Sequence, residues 1–250
     1  MNVSLVGITK PTALDGVYSA ADFIGYAARV SNPANQNNTG TARKLLKSLI
    51  RDGHWSPLEM VTVVMEIKTT RDIGRQILRH RSFSFQEFSQ RYAVVTDTPI
   101  LREARLQDLK NRQNSIVIND PILQRQWNRH QKEVIHRAEE AYEWAIKAGI
   151  AKEQARVVLP EGNTGTTFYM SGTLRSWVHY CDLRMANGTQ KEHMDIAKEC
   201  WEILRVHFQD IVEAVEELKR EKQETINFVK YFKESHPKLV DNFELTCRKI

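Results

Sequence analysis

The segment VTVVMEIKT, residues 61–69, decides the fold because its hydrophobic pattern alternates along most of its length. Positions 61, 63, 65 and 67 carry Val, Val, Met and Ile, whereas positions 62, 64, 66 and 68 carry Thr, Val, Glu and Lys. A period of two residues is typical of a strand with one buried face. We therefore expect a half-buried strand here.

Outward from this strand, the sequence predicts several helices but few further strands. Two short strands are expected at residues 2–8 and 166–171. Apolar residues at helical spacing predict helices at 18–30, 41–51, 72–81, 121–147, 151–158, 173–185 and 190–219. Residues 82–92 fit neither template, and the pattern of 96–119 is weak. Strands and helices without regular alternation indicate an α+β fold.

Composition limits the class of protein. The chain has 250 residues, of which 41% are hydrophobic and 27% charged, as in a folded globular protein. No stretch of about eighteen apolar residues occurs, and the N-terminus lacks the order of a secretory signal. We expect a cytoplasmic protein that does not enter a membrane. Cys181, Cys200 and Cys247 form no CxxC pair, so we expect reduced thiols and neither a disulfide framework nor a zinc site.

The charge balance favours anionic partners. The formal net charge is +5, which suits nucleic acid or phosphorylated metabolites equally. The densest cationic segment is RHRSFSFQEFSQRY, residues 79–92, which holds three arginines, one histidine and three serines. Arginine forks and serine hydroxyls can bind phosphate oxygens. The arginines could equally stabilise the end of a helix, and His80 could equally be a core histidine beside Ile73 and Ile77.

A second cluster lies on the helix after Gly172. Arg175, His179 and Asp182 are spaced by four and three residues and therefore share one face. An ordinary solvated stripe explains this spacing at least as well as a site does. The sequence contains no HExxH motif or other metal-ligand spacing, so we expect no metal. It also contains no Walker P-loop and no GxGxxG, so any nucleotide would be bound by some other arrangement.

One specific pattern appears at Arg79. RHR followed after seven residues by Ser89 resembles the signature of flavin-dependent thymidylate synthases. Four other segments are similar to family segments in the same order, namely ARVS (28–31), GHWSPLE (53–59), ARVVLP (155–160) and LRSWVHYCDLR (174–184), and the signature itself extends back as RQILRHR (75–81). Together they cover most of residues 20–205.

This resemblance implies a fold, an assembly and a reaction. The expected fold is α+β, with a central antiparallel or mixed sheet, flanking helices and a helical region. We expect one domain over residues 1–250, with a helical C-terminal extension at about 220–250. The expected assembly is a homotetramer with active sites shared between subunits. The expected enzyme uses FAD, NADPH and methylenetetrahydrofolate to convert dUMP to dTMP.

The resemblance also implies roles for individual residues. Arg184 is the expected catalytic residue, stabilising negative charge on the uracil ring as N3 ionises. The expected FAD contacts are Ser31, Ser56, Arg79, His80, Arg81, Gln86, Glu87, Thr173, Arg175 and His179. The expected dUMP contacts are Gln76, Arg79, Glu87, Phe88, Ser89, Gln90, Arg91, Arg156 and Arg184. His54 and Tyr92 are expected on the folate side.

Two competing interpretations remain at this point. In a non-catalytic nucleic-acid-binding protein, the arginines of residues 79–92 would bind phosphates and the phenylalanines would stack on bases. In a flavoprotein without synthase activity, FAD binding alone would be kept. Residues that serve dUMP rather than flavin, such as Ser89, Arg156 and Arg184, argue against the second interpretation.

Overall fold

The computed structural model describes residues 1–96 and 98–235, and its centre is a four-stranded antiparallel sheet. In chain order the strands are β1 (Asn2–Ile8), β2 (Thr62–Thr70), β3 (Phe83–Glu87), β4 (Arg105–Gln107), β5 (Ser115–Val117) and β6 (Gly165–Thr173). The sheet order is β1-β2-β6-β3, while β4 and β5 form a separate hairpin. The helices are α1 (Ala20–Ala28), α2 (Ala42–Arg51), α3 (Arg71–Ile77), α4 (Pro121–Lys147), α5 (Lys152–Ala155), α6 (Leu174–Met185), α7 (Lys191–His207) and α8 (Gln209–Ser235). The expected α+β class is confirmed.

One face of the sheet forms the core. In β2, Val63, Met65 and Ile67 are buried as the alternation predicts, whereas Lys68 is exposed and Glu66 half-buried. Helices α1, α2, α3, α6, α7 and α8 and strands β3 and β6 contribute further large members of the same apolar cluster. None of the helices in the described residues is long and apolar enough to cross a membrane.

Strand β6 leads directly into α6, and this junction fixes the orientation of α6. The Thr173 hydroxyl caps α6 by accepting a hydrogen bond from the Ser176 backbone N–H at 3.2 Å. The buried Trp177 indole then donates to the Val63 carbonyl at 3.0 Å. The helix that carries Arg175 and Arg184 is therefore anchored to the central strand.

The predicted helix 72–81 is wrong at its end. Helix α3 ends at Ile77, and residues 79–81 lie in a turn that leads into β3. The chain must reverse here because Phe83 pairs with Gly172 of β6. The segment 82–92, which fitted no template, thus contains a strand with Phe83 turned to the core.

The predicted single helix 190–219 is also wrong, because it is broken at Phe208 between α7 and α8. Phe208 has φ −140° and ψ 46°, outside the helical region, and its ring is buried. The break lets α8 fold back on α7, where the Trp201 indole donates to Glu216 at 2.9 Å. Residues 236–250 of the expected extension lie outside the described residues. The weakly patterned segment 96–119 contains the β4–β5 hairpin.

Candidate active site

The expected site residues fall into three groups, and the first joins the turn after α3 to the end of α6. Here the Arg184 Nε donates a hydrogen bond to His80 Nε2 at 2.9 Å. An arginine is only a donor, so His80 must present an unprotonated Nε2. Burial, together with the positive charges of Arg184 and Arg79, lowers the pKa of His80 to about 4. Near neutral pH, His80 is thus an uncharged acceptor that orients Arg184.

Two buried residues support His80 from behind, and sequence reasoning missed both. The Tyr180 ring meets the His80 ring edge-on with centroids 4.9 Å apart. The Tyr180 hydroxyl lies 3.1 Å from Nε2 of the fully buried His193. Burial, followed by the charge of Arg184, lowers the pKa of His193 to about 3. The only signal in the sequence was that Tyr180 lies one helical turn before Arg184.

The arginines of this first group make no ion pairs with carboxylates among the described residues. Arg79 and Arg81 are exposed, and neither makes an ion pair with any residue in the described part of the chain. Arg184 makes its one side-chain hydrogen bond there with neutral His80. Such a surface can accept the negative charge of a ligand.

Gln76, an expected dUMP contact, is held by a chain of hydrogen bonds that leads to the start of α7. Its amide N–H donates to Gln190 at 2.7 Å, and Gln190 in turn donates to Glu192 at 3.0 Å. Burial raises the pKa of Glu192, but the hydrogen bond from Arg105 and the charge of Arg102 outweigh it and hold that pKa at about 2. Gln76 is therefore positioned through a permanently ionised carboxylate.

The second group joins the GHWSPLE segment to the start of α6. The Trp55 and His179 rings pack with centroids 4.8 Å apart, and Arg175 forms an ion pair with Glu59. Burial and the charge of Arg175 lower the pKa of His179, although Asp182 opposes them. The expected flavin contacts Ser56, Arg175 and His179 thus share one surface. His54, assigned to the folate side, is exposed on the same segment.

The third group lies where β3 runs into the loop after it. Glu87 accepts a hydrogen bond from the Thr166 hydroxyl at 2.9 Å and lies 3.5 Å from Arg71 Nη1. Gln90 and Arg156 line a cavity with Arg71 and Arg75, two residues that the sequence analysis did not select. The side chains of Phe88, Arg91 and Tyr92 are exposed on the same loop, and Arg91 lies 3.4 Å from Glu153.

Three expected residues are placed apart or already engaged. Ser31 lines a separate shallow cavity with Asn32 and Lys44, and none of the other expected site residues lines it. Gln86 is exposed on β3, where it alternates with the inward Phe85. The Thr173 hydroxyl already caps α6. Their flavin roles remain predictions, as do those of the other expected contacts.

Metal chemistry finds no support in the side chains. Within residues 1–96 and 98–235, no group of three or more His, Cys, Asp or Glu side chains could hold a metal ion. Burial raises the pKa of the Cys181 thiol and that of the Cys200 thiol well above their usual range. Both thiols are therefore protonated and inert near neutral pH.

Known proteins resemble this chain over most of its length. The family described as thymidylate synthase complementing protein matches residues 14–208. A probable flavin-dependent thymidylate synthase of Paramecium bursaria Chlorella virus 1 is 50% identical over 216 residues, which are 86% of this chain and 99% of the viral protein. The flavin-dependent thymidylate synthase of Synechocystis is 47% identical over 86% of this chain and its own entire length.

A solved structure agrees. A UMP/dUMP methylase from Streptomyces cacaoi, bound with 5-Br dUMP, superposes with a TM-score of 0.73 at 26% identity, covering 85% of this chain and 93% of the methylase. The family match spans most of the chain, and the relatives cover it at far more than 30% identity. The chain belongs to the flavin-dependent thymidylate synthase family.

Proposed function

We propose that this protein reductively methylates dUMP to dTMP, with FAD as cofactor, methylenetetrahydrofolate as one-carbon donor and NADPH as reductant. The observation that carries the proposal is Arg184, held by a neutral histidine and left without a carboxylate partner among the described residues. A fixed, uncompensated cation of this kind suits a reaction in which negative charge develops on a bound ring. The family membership supports the uracil of dUMP as that ring.

The residues present fit a flavin dinucleotide. FAD carries two phosphates, and the exposed Arg79 and Arg81 have no ion-pair partner in the described chain that would compete for them. Arg175 and Ser56 lie on the second group's surface, beside the uncharged His179 ring. When bound, the flavin would supply the hydride that completes the methyl group. The protein's own contribution is to bind phosphate charge and to hold ring systems in place.

Arg184 would act on the substrate rather than on the flavin. Its guanidinium cannot lose its proton near neutral pH, so it remains cationic while N3 of the uracil ionises. His80 would fix the direction of the Arg184 side chain, because it accepts a hydrogen bond from Arg184 Nε at 2.9 Å. Preorganised charge of this kind stabilises a transition state without a reorganisation cost.

The dUMP contacts would come from the third group and from Gln76. Ser89, Gln90, Arg91 and Arg156 supply hydroxyl, amide and guanidinium donors for the nucleotide. Glu87 is held in place by Thr166 and Arg71. A phosphate-bearing pyrimidine nucleotide needs this mixture of cations and neutral donors.

Assembly is part of the proposal. Arg175 and Arg184 belong to different surfaces of α6, and a homotetramer with shared active sites lets both contact ligands. Exposed apolar side chains such as Tyr169, Leu183 and Val157 offer area for subunit contacts. We propose one catalytic domain over the chain and a cytoplasmic location. None of the relatives described above is a nucleic-acid-binding protein by name, and that alternative gains no support.

The first test is spectroscopic. The purified protein, saturated with FAD, should show a flavin spectrum that NADPH bleaches faster when dUMP is present. A matched variant, Arg205→Gln, removes a surface arginine that pairs with Glu216 and should bleach like the parent. A protein that takes up no FAD would refute the proposal.

A further inference from the structure

The β4–β5 hairpin reaches the candidate active site through one arginine, Arg105. Arg105 begins β4, and its Nη2 donates a hydrogen bond to Glu192 near the start of α7. The Nη1 of Arg102 lies 3.3 Å from the same carboxylate oxygen. The side chains of Arg105 and Glu192 are only 11% and 10% exposed. This buried ion pair lies outside the set of ligand contacts that the family resemblance implies.

The chain just before Arg105 is fixed to α4 by two glutamines. The buried Gln131 accepts a hydrogen bond from the Arg102 backbone N–H at 2.8 Å and donates one to the Arg102 carbonyl at 2.9 Å. Gln124 accepts one from the Ala104 backbone N–H at 2.7 Å. The guanidinium of Arg105 therefore has a defined position against Glu192.

Glu192 determines the direction of two amide side chains. Burial opposes its ionisation, but the hydrogen bond from Arg105 and the charge of Arg102 hold the pKa of Glu192 at about 2. An ionised carboxylate only accepts hydrogen bonds, so Gln190 must turn its Nε2 towards Glu192, at 3.0 Å. The Gln190 oxygen then points the other way and accepts from Gln76 Nε2 at 2.7 Å. The direction of the Gln76 amide thus follows from the charge of Glu192.

The Gln76 amide keeps one acceptor and one donor for a ligand. Its oxygen accepts no hydrogen bond from any side chain or backbone group in residues 1–96 and 98–235. One of its two N–H groups is used by Gln190, and the other is not. The residue is half-buried, so a ligand can contact it. An amide of fixed direction offers this acceptor and this donor in a fixed order.

Uracil and cytosine present opposite hydrogen-bonding groups to such an amide. Uracil has an N3–H donor beside the O4 acceptor, whereas cytosine has an N3 acceptor beside the N4 amino donor. An amide that is fixed in the order suited to one base places like groups against the other. An amide that can turn over by 180° fits both bases and distinguishes them poorly.

We propose that Arg105 and Glu192 are positioning residues that make the site select uracil over cytosine, by fixing the direction of the Gln76 amide through Gln190. The inference rests on the proposed function, in which Gln76 contacts the pyrimidine. The Gln76 oxygen accepts from N3–H of the neutral uracil ring, and the free amide N–H donates to the neighbouring ring carbonyl. Cytosine would leave these groups unpaired, which weakens its binding.

Nucleotide titrations test the role of Glu192. In calorimetric titrations of the full-length, FAD-saturated protein, the parent should bind dUMP more tightly than dCMP. Glu192→Gln should reduce this preference by about 10-fold, because a glutamine can donate as well as accept and no longer fixes the Gln190 amide. The matched control is Glu216→Gln, which replaces a carboxylate that accepts from Trp201 and Arg205, and it should keep the parent's preference.

Conservative and disruptive changes of Arg105 provide a second measurement. Arg105→Lys retains a cation beside Glu192 and should keep most of the preference for dUMP. Arg105→Gln removes the cation and should reduce the preference by about 5-fold. Arg105→Gln also provides the test of the inference if Glu192→Gln does not fold.

A change at Gln76 separates positioning from a general structural role. In the Gln76→Leu background the amide is absent, so Glu192→Gln should alter the dUMP preference by less than about 2-fold. If Glu192 acted only on stability or on the shape of the site, its replacement would have the same effect in both backgrounds. The double-mutant cycle therefore measures the path from Glu192 to Gln76 directly.

The outcomes for this inference and for the proposed function are distinct. An unchanged preference in folded Glu192→Gln, or an equal loss of affinity for both nucleotides, would overturn the inference even if the parent protein makes dTMP. A dUMP preference that depends on Glu192 and Gln76 in a parent that makes no dTMP would support the inference and reject the proposed function. A parent that binds neither nucleotide would overturn both.

Discussion

Replacing Gly172 by alanine should destabilise the protein strongly, because there is no room for a side chain at that position. Gly172 pairs with Phe83 on one side and with Val63 on the other. A Cβ built on Gly172 would lie 2.4 Å from Phe83 Cδ1 and 2.5 Å from Cε1. Ordinary carbon contacts are about 3.5–4.0 Å, so the ring would have to move by about 1 Å.

The Phe83 ring cannot move freely. It is 9% exposed and packs edge-on against Trp177 and Tyr180, with centroids 4.9 and 5.9 Å away. Overpacking of this kind costs about 1–3 kcal/mol, out of a typical total stability of about 5–15 kcal/mol. We expect a loss near the upper end, because both neighbouring rings are themselves buried.

Denaturant unfolding of matched variants measures this loss. The control is Gly7→Ala in β1, where the nearest atom to a new Cβ would be Val64 Cβ at an ordinary 3.6 Å, and its stability should stay close to the parent's. In the Gly172→Ala background, Phe83→Leu should restore part of the loss, which a double-mutant cycle detects as coupling. All variants should be compared without FAD, since bound ligand shifts the transition.

The Gly172→Ala substitution should also perturb the candidate active site. Phe83 also faces His80, with ring centroids 6.5 Å apart, and His80 orients Arg184. Turnover of dUMP should therefore fall in Gly172→Ala even where the protein is fully folded. A free energy of unfolding for Gly172→Ala that lies within about 0.5 kcal/mol of the parent's would refute the packing argument.

Three further predictions concern charge and proton binding. Arg184→Ala should lower dTMP formation by about 100-fold or more while leaving FAD bound, and loss of flavin from a folded variant would contradict its role at the uracil. Arg79→Ala should weaken FAD binding by about 10-fold in a fluorescence titration, and an unchanged affinity would rule out that contact. The pKa of His193 is lowered from 6.5 to about 3, so the unfolded chain takes up its proton first as pH falls. The contribution of His193 to the free energy of unfolding should therefore be fully present above pH 6.5 and decline below it by about 1.4 kcal/mol per pH unit. Urea unfolding of His193→Leu should show a flatter dependence of stability on pH. His80 adds a smaller, solvent-screened contribution to the same pH dependence.

Much of the fold could be predicted because it is encoded locally. The alternation of residues 61–69 gives β2 and its buried face, and Asp52-Gly53 marks the end of α2. The end of α3 could not be predicted in this way, because Phe83 is held by a partner almost ninety residues further along the chain. The break at Phe208 likewise depends on a tertiary position for its ring, which no local pattern shows.

In the candidate site, too, some residues could be predicted from the sequence, whereas others are brought together only by tertiary packing. The family resemblance led to Arg79, His80 and Arg184, and the structure joins the last two by a hydrogen bond. Support for His80 comes from Tyr180 and from His193 of the next helix, and only packing brings those rings together. Arg71 was missed for a different reason. A basic residue after a strand carries no signal until its burial and its open donors are seen.

The most direct test of the central claim is dTMP formation by the purified protein, followed by mass spectrometry with dUMP, FAD, methylenetetrahydrofolate and NADPH, and with each omitted in turn. We predict dTMP and tetrahydrofolate in the complete mixture, loss of both when any component is omitted from flavin-free protein, and almost no dTMP from Arg184→Ala that still holds FAD. Absence of dTMP from the complete mixture, or undiminished dTMP from Arg184→Ala, would contradict the account.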